Sequence, residues 1–357
     1  MTWDWTPRTR QSLARFLRDR GLCDGDIRTR HIGDGHSNLT FLVSDGQRQV
    51  VVRRPPPPPT PPGAHDMLRE ARIIGALGRT DVPVPALLAT AQADEVLDVP
   101  LYVMSYARGP VVTTATPAPL GTPQTRRQAG ESLADTLARL HAVDWQGVGL
   151  GDLGRPDGFN RRHLRRISAI VSHPDSGPPL SFAALTAWLG EHVPAESGAA
   201  IVHGDFRIGN MVLAPGPPGR VAAVLDWELA TIGDPLHDVG YFLASVPGPD
   251  EPLTPTQEFG MALLEEGYPA RQQLAARYAE RTGRDLGGLA WYTAFALWKL
   301  AVLYEYGRRR AVRGAGDPYY AAPARVRSFL AAAHQAAGLP PPSHDEPSHD
   351  GPAREDA

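Results

Sequence analysis

An aspartate and an asparagine stand five residues apart in "IVHGDFRIGNMVL", residues 201–213, between two apolar runs. That spacing suits phosphoryl transfer, which needs a carboxylate to take the proton of the attacking hydroxyl and hard oxygen ligands for magnesium nearby. On a compact loop, Asp205 can face the nucleophile while the carbonyl oxygen of Asn210 faces the metal. Gly204 lets that loop turn tightly. A second metal-binding acid follows in "VAAVLDWE", residues 221–228, where an apolar strand ends in Asp226. The stretch "MVL-APGPPG-RVAAVL" is long enough for a hairpin that returns Asp226 to the side of Asn210. Further acids come in "ELATIGDPLHDVGYFL", at Asp234 and Asp238.

The elements that must hold these groups are legible in outline. Residues 8–20 read as a short helix with Leu13, Phe16 and Leu17 on one side. "IGDGHSNLTFLVSDGQRQVVVRR" reads as strand, turn, strand, turn, strand, with "SDGQ" as the hairpin signal. "PPPPPTPPG", residues 55–63, reads as an extended polyproline connector. A helix is expected over residues 64–78, with Met67, Ala71 and Ile74 at helical spacing. Further strands are expected in "VPVPALLAT" and "PLYVMSYARG". "ESLADTLARLHAVD" gives an amphipathic helix. From residue 250 to about 336 the pattern is mainly helical. A small β-rich N-terminal part thus precedes a larger helical part, and the polar, proline-rich end is expected to be disordered.

Composition bounds the partners. The chain has 357 residues and a net charge of −3, too small to argue for nucleic acid or a membrane surface. Cys23 is the one cysteine, which fits a reducing compartment. The longest apolar stretch, "LAWYTAFALWKLAVLY", is interrupted by Lys299 and is short for a bilayer. A soluble, cytoplasmic protein is expected. Lys299 is the sole lysine among 36 basic residues.

"HGDFRIGN", "LDWE" and "DPLHD" resemble the aminoglycoside phosphotransferase and choline kinase branch of the protein-kinase-like fold. Within it, "GDGHSNLTFLV", "RRPPP", "AHDMLREARIIGAL", "DVPVP", "LYVMSYARG" and "GDLGRPDGF" resemble the kinase-like proteins related to the N-terminal part of certain acyl-CoA dehydrogenases. The resemblance spans residues 20–336 and implies a bilobed α+β fold. It divides the chain into an N-lobe over residues 1–105, a C-lobe over 106–340 and a tail over 341–357. It implies an enzyme that moves the γ-phosphate of ATP, or of GTP, with Mg²⁺, to a hydroxyl of a small molecule. Asp205 would be the base, and Asn210 and Asp226 the metal ligands. Gly33, Gly35, Ser37 and Asn38 would lie in the glycine-containing loop over the phosphates. Ser105 and Ala107 would pair with adenine through their backbones, with Met104 behind it. Glu70 would pair with the strand cation that grips the α- and β-phosphates.

The kinase pattern places a lysine at that strand position. Here "VVVRR" offers Arg53 or Arg54, and strand alternation puts Arg53 with Val51 and Arg54 on the other face. Lys299 lies far off in the helical part. His203 and His237 read as structural, Asp234 as a loop or cap residue, and Asp238 as a brace for the catalytic loop. Trp291 and Trp298 read as core, and "YGRRR", residues 306–310, as a solvated helix end.

Residues 240–330 hold 11 basic and 9 acidic residues. That balance suits an acidic or amphipathic hydroxyl compound better than a cationic aminoglycoside. The resemblance points to hydroxyacyl compounds, carried or not on coenzyme A. An antibiotic kinase and a nucleotide-binding regulatory module without turnover stand as alternatives. No D-F-G or A-P-E string favours a protein kinase.

Overall fold

The computed structural model describes residues 5–33, 38–56, 65–172 and 179–342. Helix α1 (Pro7–Asp19) starts where the Thr6 hydroxyl accepts from the Thr9 N–H and Pro7 takes the first turn. Strands β1 (Arg28–His31), β2 (Leu39–Ser44) and β3 (Gln49–Arg54) follow, then α2 (Met67–Leu77), β4 (Leu87–Ala91) and β5 (Leu101–Ser105). They form an antiparallel sheet in the order β1-β2-β3-β5-β4.

Strand alternation gives this sheet two apolar faces. Phe41, Val43, Val50, Val52 and Val103 pack with Leu13, Phe16 and Leu17 of α1. Leu42, Val51, Tyr102 and Met104 belong with Met67 and Ile74 of α2 to the core that continues into the helical part. Arg53 therefore shares the α2 face of the sheet with Val51. The first strand is Arg28–His31, just ahead of the stretch from Ile32 where the sequence suggested one. Its residues are mostly exposed, so it carries no apolar alternation to reveal it.

Beyond β5 the chain builds α3 (Pro123–His141), α4 (Phe159–Val171) and α5 (Leu180–Glu191). Short strands β6 (Ala200–Val202), β7 (Met211–Leu213), β8 (Val221–Val224) and β9 (Thr231–Gly233) follow, and then α6 (Leu236–Ser245). The rest is helical: α7 (Pro255–Glu258), α8 (Arg271–Thr282), α9 (Leu289–Val312) and α10 (Pro323–Ala337). Helix α9 runs through the middle of this part and packs on α4, α6 and α10. Trp291 and Trp298 are buried on it. The arginines of "YGRRR" do more than meet solvent: Arg308 and Arg309 both pair with the buried Glu305.

The architecture is α+β and bilobed, with the sheet in the small lobe. The segment after β5 is tied to the larger part through Gly109, whose φ is +148°. A Cβ there would stand 1.8 Å from the Leu213 carbonyl oxygen, so only glycine fits. The expected connector over 55–63 lies almost wholly outside the described residues, as does the expected tail from residue 343 on. Among the described residues, no helix is long and apolar enough to cross a membrane.

Candidate active site

The loop that carries Asp205 hangs between two small antiparallel pairs, β6 with β9 and β7 with β8. Strand β6 delivers "HGD", and β7 begins directly after Asn210. Asp238, buried on α6, braces the loop from below. Its carboxylate accepts from the His203 N–H at 2.5 Å and the Gly204 N–H at 2.8 Å. Burial raises the Asp238 pKa, but His141 and His203 outweigh it and hold the group below the usual carboxylate range. His203 sits beneath the loop, with Nε2 2.9 Å from the Leu225 carbonyl oxygen. Gly204 has a φ of +84°, and Leu229 lies close against it.

The Asn210 amide donates to the Asp205 carbonyl at 2.9 Å and to the Asp205 Oδ2 at 2.8 Å. With its N–H groups so used, Asn210 keeps its side-chain oxygen for another partner. The β7–β8 hairpin does return to this point: the Leu225 N–H donates to the Asn210 carbonyl at 2.9 Å. Asp226 follows with a φ of +67°, a left-handed backbone rare for any residue but glycine. Such local strain persists where the surroundings impose it, and it turns the Asp226 carboxylate toward the sheet.

There it meets Arg53. Arg53 Nη2 lies 2.5 Å from Asp226 Oδ1, and its Nε lies 3.4 Å from Glu70 Oε2. Glu70 is fully buried on α2 and also accepts from the Trp227 N–H at 3.2 Å. Burial pushes the Glu70 carboxyl up, while Arg53 pulls it back. Burial likewise works against the charge on Arg53, but Glu70 and Asp226 outweigh it. Arg54 turns the other way and lies over the rings of Trp5 and Phe41.

Of the residues expected over the phosphates, Gly35 and Ser37 lie outside the described residues. Gly33 has a φ of +82°. Asn38 is buried, and its amide donates to Glu228 Oε2 at 2.9 Å, linking the end of that loop to the residues after Asp226. At the lobe junction, Met104 lies in the core behind the strand. The Ser105 N–H donates to the Ala86 carbonyl at 2.9 Å. Ala107 follows two residues later in the linking segment.

Three groups at the site escaped the sequence reading. Tyr241, on α6, donates its hydroxyl to Asp205 Oδ1. Arg207 Nε lies 3.3 Å from the same oxygen. Burial disfavours the Arg207 charge, but Asp205 more than restores it. Lys299 is not remote after all: its Nζ donates to the Gly204 carbonyl at 3.3 Å. Helix α9 brings it there by long-range packing, which no local pattern announces. Its being the sole lysine was the only signal.

A loop aspartate, an amide oxygen and a carboxylate at the ends of one hairpin, facing a buried cation–carboxylate pair across a lobe junction, fit a kinase-type phosphotransferase acting on hydroxyl groups. The model of the phosphotransferase enzyme family matches residues 28–295, and the chain belongs to that family. It is 29% identical over 294 residues to acyl-CoA dehydrogenase family member 10 of Mus musculus, a match covering 81% of this chain and 27% of that protein. The chain thus spans about a quarter of that relative's length. A candidate aminoglycoside phosphotransferase from Ralstonia eutropha superposes with a TM-score of 0.74 at 28% identity, covering 92% of this chain and 98% of that one. A spectinomycin phosphotransferase crystallised with ADP and spectinomycin shares the fold at 10% identity, with a TM-score of 0.60 over 94% of this chain and all of the other.

Proposed function

We propose that the chain moves the γ-phosphoryl group of ATP, with Mg²⁺, to a hydroxyl of a small acceptor. One observation carries this reading: Asp205, Asn210, Asp226, Arg53 and Glu70 converge from a loop, a hairpin, a sheet and a helix on one lobe junction. Asp205 takes the acceptor proton. Arg53, backed by Glu70, grips the α- and β-phosphates. Ser105 and Ala107 hold the base through backbone groups, which admits GTP as well. Gly33, Gly35, Ser37 and Asn38 cover the phosphates.

The donor set suits magnesium. Asn210 retains its amide oxygen, and Asp226 supplies a carboxylate across the hairpin. No cluster of three or more His, Cys, Asp or Glu side chains able to hold a metal occurs among the described residues. Magnesium needs none, because it takes one or two protein oxygens along with phosphate oxygens and water. When bound, it neutralises charge on the transferred group. Arg207, beside Asp205, adds positive charge at the same place.

For the acceptor we infer a hydroxyacyl or similar amphipathic anion. One cation, Arg207, stands against the base. Leu229, 51% exposed, and Phe259, 42% exposed, offer apolar surface beside Gly204 and Arg207. This setting disfavours a polycationic antibiotic. The single cysteine fits a cytoplasmic site of action. The test is a panel of hydroxyl compounds, spanning anionic hydroxyacyl compounds, neutral alcohols and aminoglycosides, with ADP release as the readout. Acceleration by anionic hydroxyacyl compounds supports the reading. Acceleration by aminoglycosides alone overturns the acceptor class, and ADP release by none of the panel argues for a regulatory nucleotide-binding module.

A further inference from the structure

The Gly204–Asp205 peptide group is held at both ends. Its carbonyl oxygen, that of Gly204, accepts from Lys299 Nζ at 3.3 Å. Its N–H, that of Asp205, donates to His203 Nδ1 at 3.2 Å. The Asp205 carboxylate is held as well. Oδ1 accepts from the Tyr241 hydroxyl and from Arg207 Nε at 3.3 Å, while Oδ2 accepts from the Asn210 amide at 2.8 Å. A carboxylate offers about four lone-pair positions. Those of Oδ1 are occupied, and Oδ2 keeps one open. Lys299 also lies 5.4 Å from the centre of the Tyr241 ring, so the two residues brace each other as a cation over an aromatic face.

We propose that Lys299 and Tyr241 are positioning residues that present Oδ2 of Asp205, and not Oδ1, to the acceptor hydroxyl. The proposal rests on Asp205 being the base. In the step, the acceptor's O–H proton passes to Oδ2, and its oxygen forms a bond to the γ-phosphorus. The bond from that phosphorus to the bridging oxygen breaks, and its electron pair leaves with ADP. Tyr241 keeps Oδ1 occupied and so fixes the rotation of the carboxylate. Lys299 touches neither nucleotide nor acceptor. It acts through the peptide that carries the base and through the Tyr241 ring.

The experiment uses the full chain with ATP and Mg²⁺ and water as the acceptor, following ADP release under single-turnover conditions. Nucleotide binding is read separately as the thermal shift given by ADP with Mg²⁺. Tyr241→Phe and Lys299→Met are each expected to lose about tenfold in the rate of ADP release while binding nucleotide as wild type does, because a misplaced base costs rate rather than affinity. Lys299→Arg, which can still donate to the Gly204 carbonyl, is expected to recover to within about threefold of wild type. The double variant should lose about thirtyfold or less, short of the product of the single losses, since both act on one carboxylate. Wild-type rates in both single variants overturn the proposal. So does a fall in binding that matches the fall in rate, which marks a merely structural role. A wild-type chain that neither binds nucleotide nor releases ADP overturns the phosphotransferase reading itself.

Discussion

Arg53→Ala removes the cation that Glu70 and Asp226 share. The Asp226 side chain is 30% exposed, so water screens much of its loss. The cost falls on Glu70, which is fully buried. Stripping a buried carboxylate of its partner costs about 3 kcal/mol, unless the group takes up a proton. Burial already pushes the Glu70 pKa up and Arg53 opposes the shift, so the variant's Glu70 rises further. The sign follows. A carboxyl whose folded pKa lies above its unfolded value, about 4.3 for glutamate, makes the fold less stable as pH rises past that value. The Arg53→Ala deficit is therefore largest near neutrality and smallest in mild acid. Thermal unfolding without nucleotide should show a deficit on the order of 5 °C at pH 8, and clearly less at pH 5. If the same interaction is what grips the phosphates, ATP turnover falls by about a hundredfold, the rate equivalent of about 3 kcal/mol. Arg54→Ala is the control. Its guanidinium lies 5.5 Å from the Trp5 ring centre and 5.4 Å from that of Phe41, contacts worth about 1 kcal/mol on the far face of the sheet. Turnover should stay within about twofold of wild type. A deficit that ignores pH, or an inactive Arg54→Ala beside an active Arg53→Ala, would show that Arg53 is not the cation paired with Glu70 at the phosphates.

Asp226→Ala is expected to abolish the part of the ATP thermal shift that EDTA removes, while Asp226→Asn, which tolerates the left-handed backbone, should fold as wild type and lose the same shift. Asp238→Ala should weaken the fold more at neutral pH than in acid. The depressed Asp238 pKa means that its stabilisation is present above the unfolded value of about 3.9 and lost as pH falls through the folded one, which unfolding at pH 7 and pH 3 will read. Gly109→Ala should destabilise by on the order of 3 kcal/mol, since its Cβ would collide with the Leu213 carbonyl, and denaturant unfolding measures that directly.

The parts of the site visible in the sequence are those whose positions follow from short-range rules. Asp205 and Asn210 share one loop, and the Asn210–Asp226 neighbourhood follows from a hairpin of fixed length. The face of Arg53 follows from the period of a strand. What escaped depends on packing between distant elements. Tyr241 and Lys299 reach Asp205 from α6 and α9, so no spacing rule links them to the loop. Glu228 meets Asn38 across 190 residues of chain. Strand β1 went unplaced because its edge position leaves it polar. The pairing of Arg309 with Glu305 and the Val171 carbonyl was likewise invisible in a run of arginines that reads as a solvated helix end.

We assign proton transfer to Asp205, and the metal-bound nucleotide to Asn210 and Asp226. The measurement that tests this assignment most directly is a single-turnover assay with γ-labelled ATP and Mg²⁺, comparing wild type with Asp205→Asn after matching their nucleotide occupancy. Equal binding is expected, with a release of label slowed by about a hundredfold or more in the variant, the usual contribution of a positioned base. Equal rates at equal occupancy would contradict it.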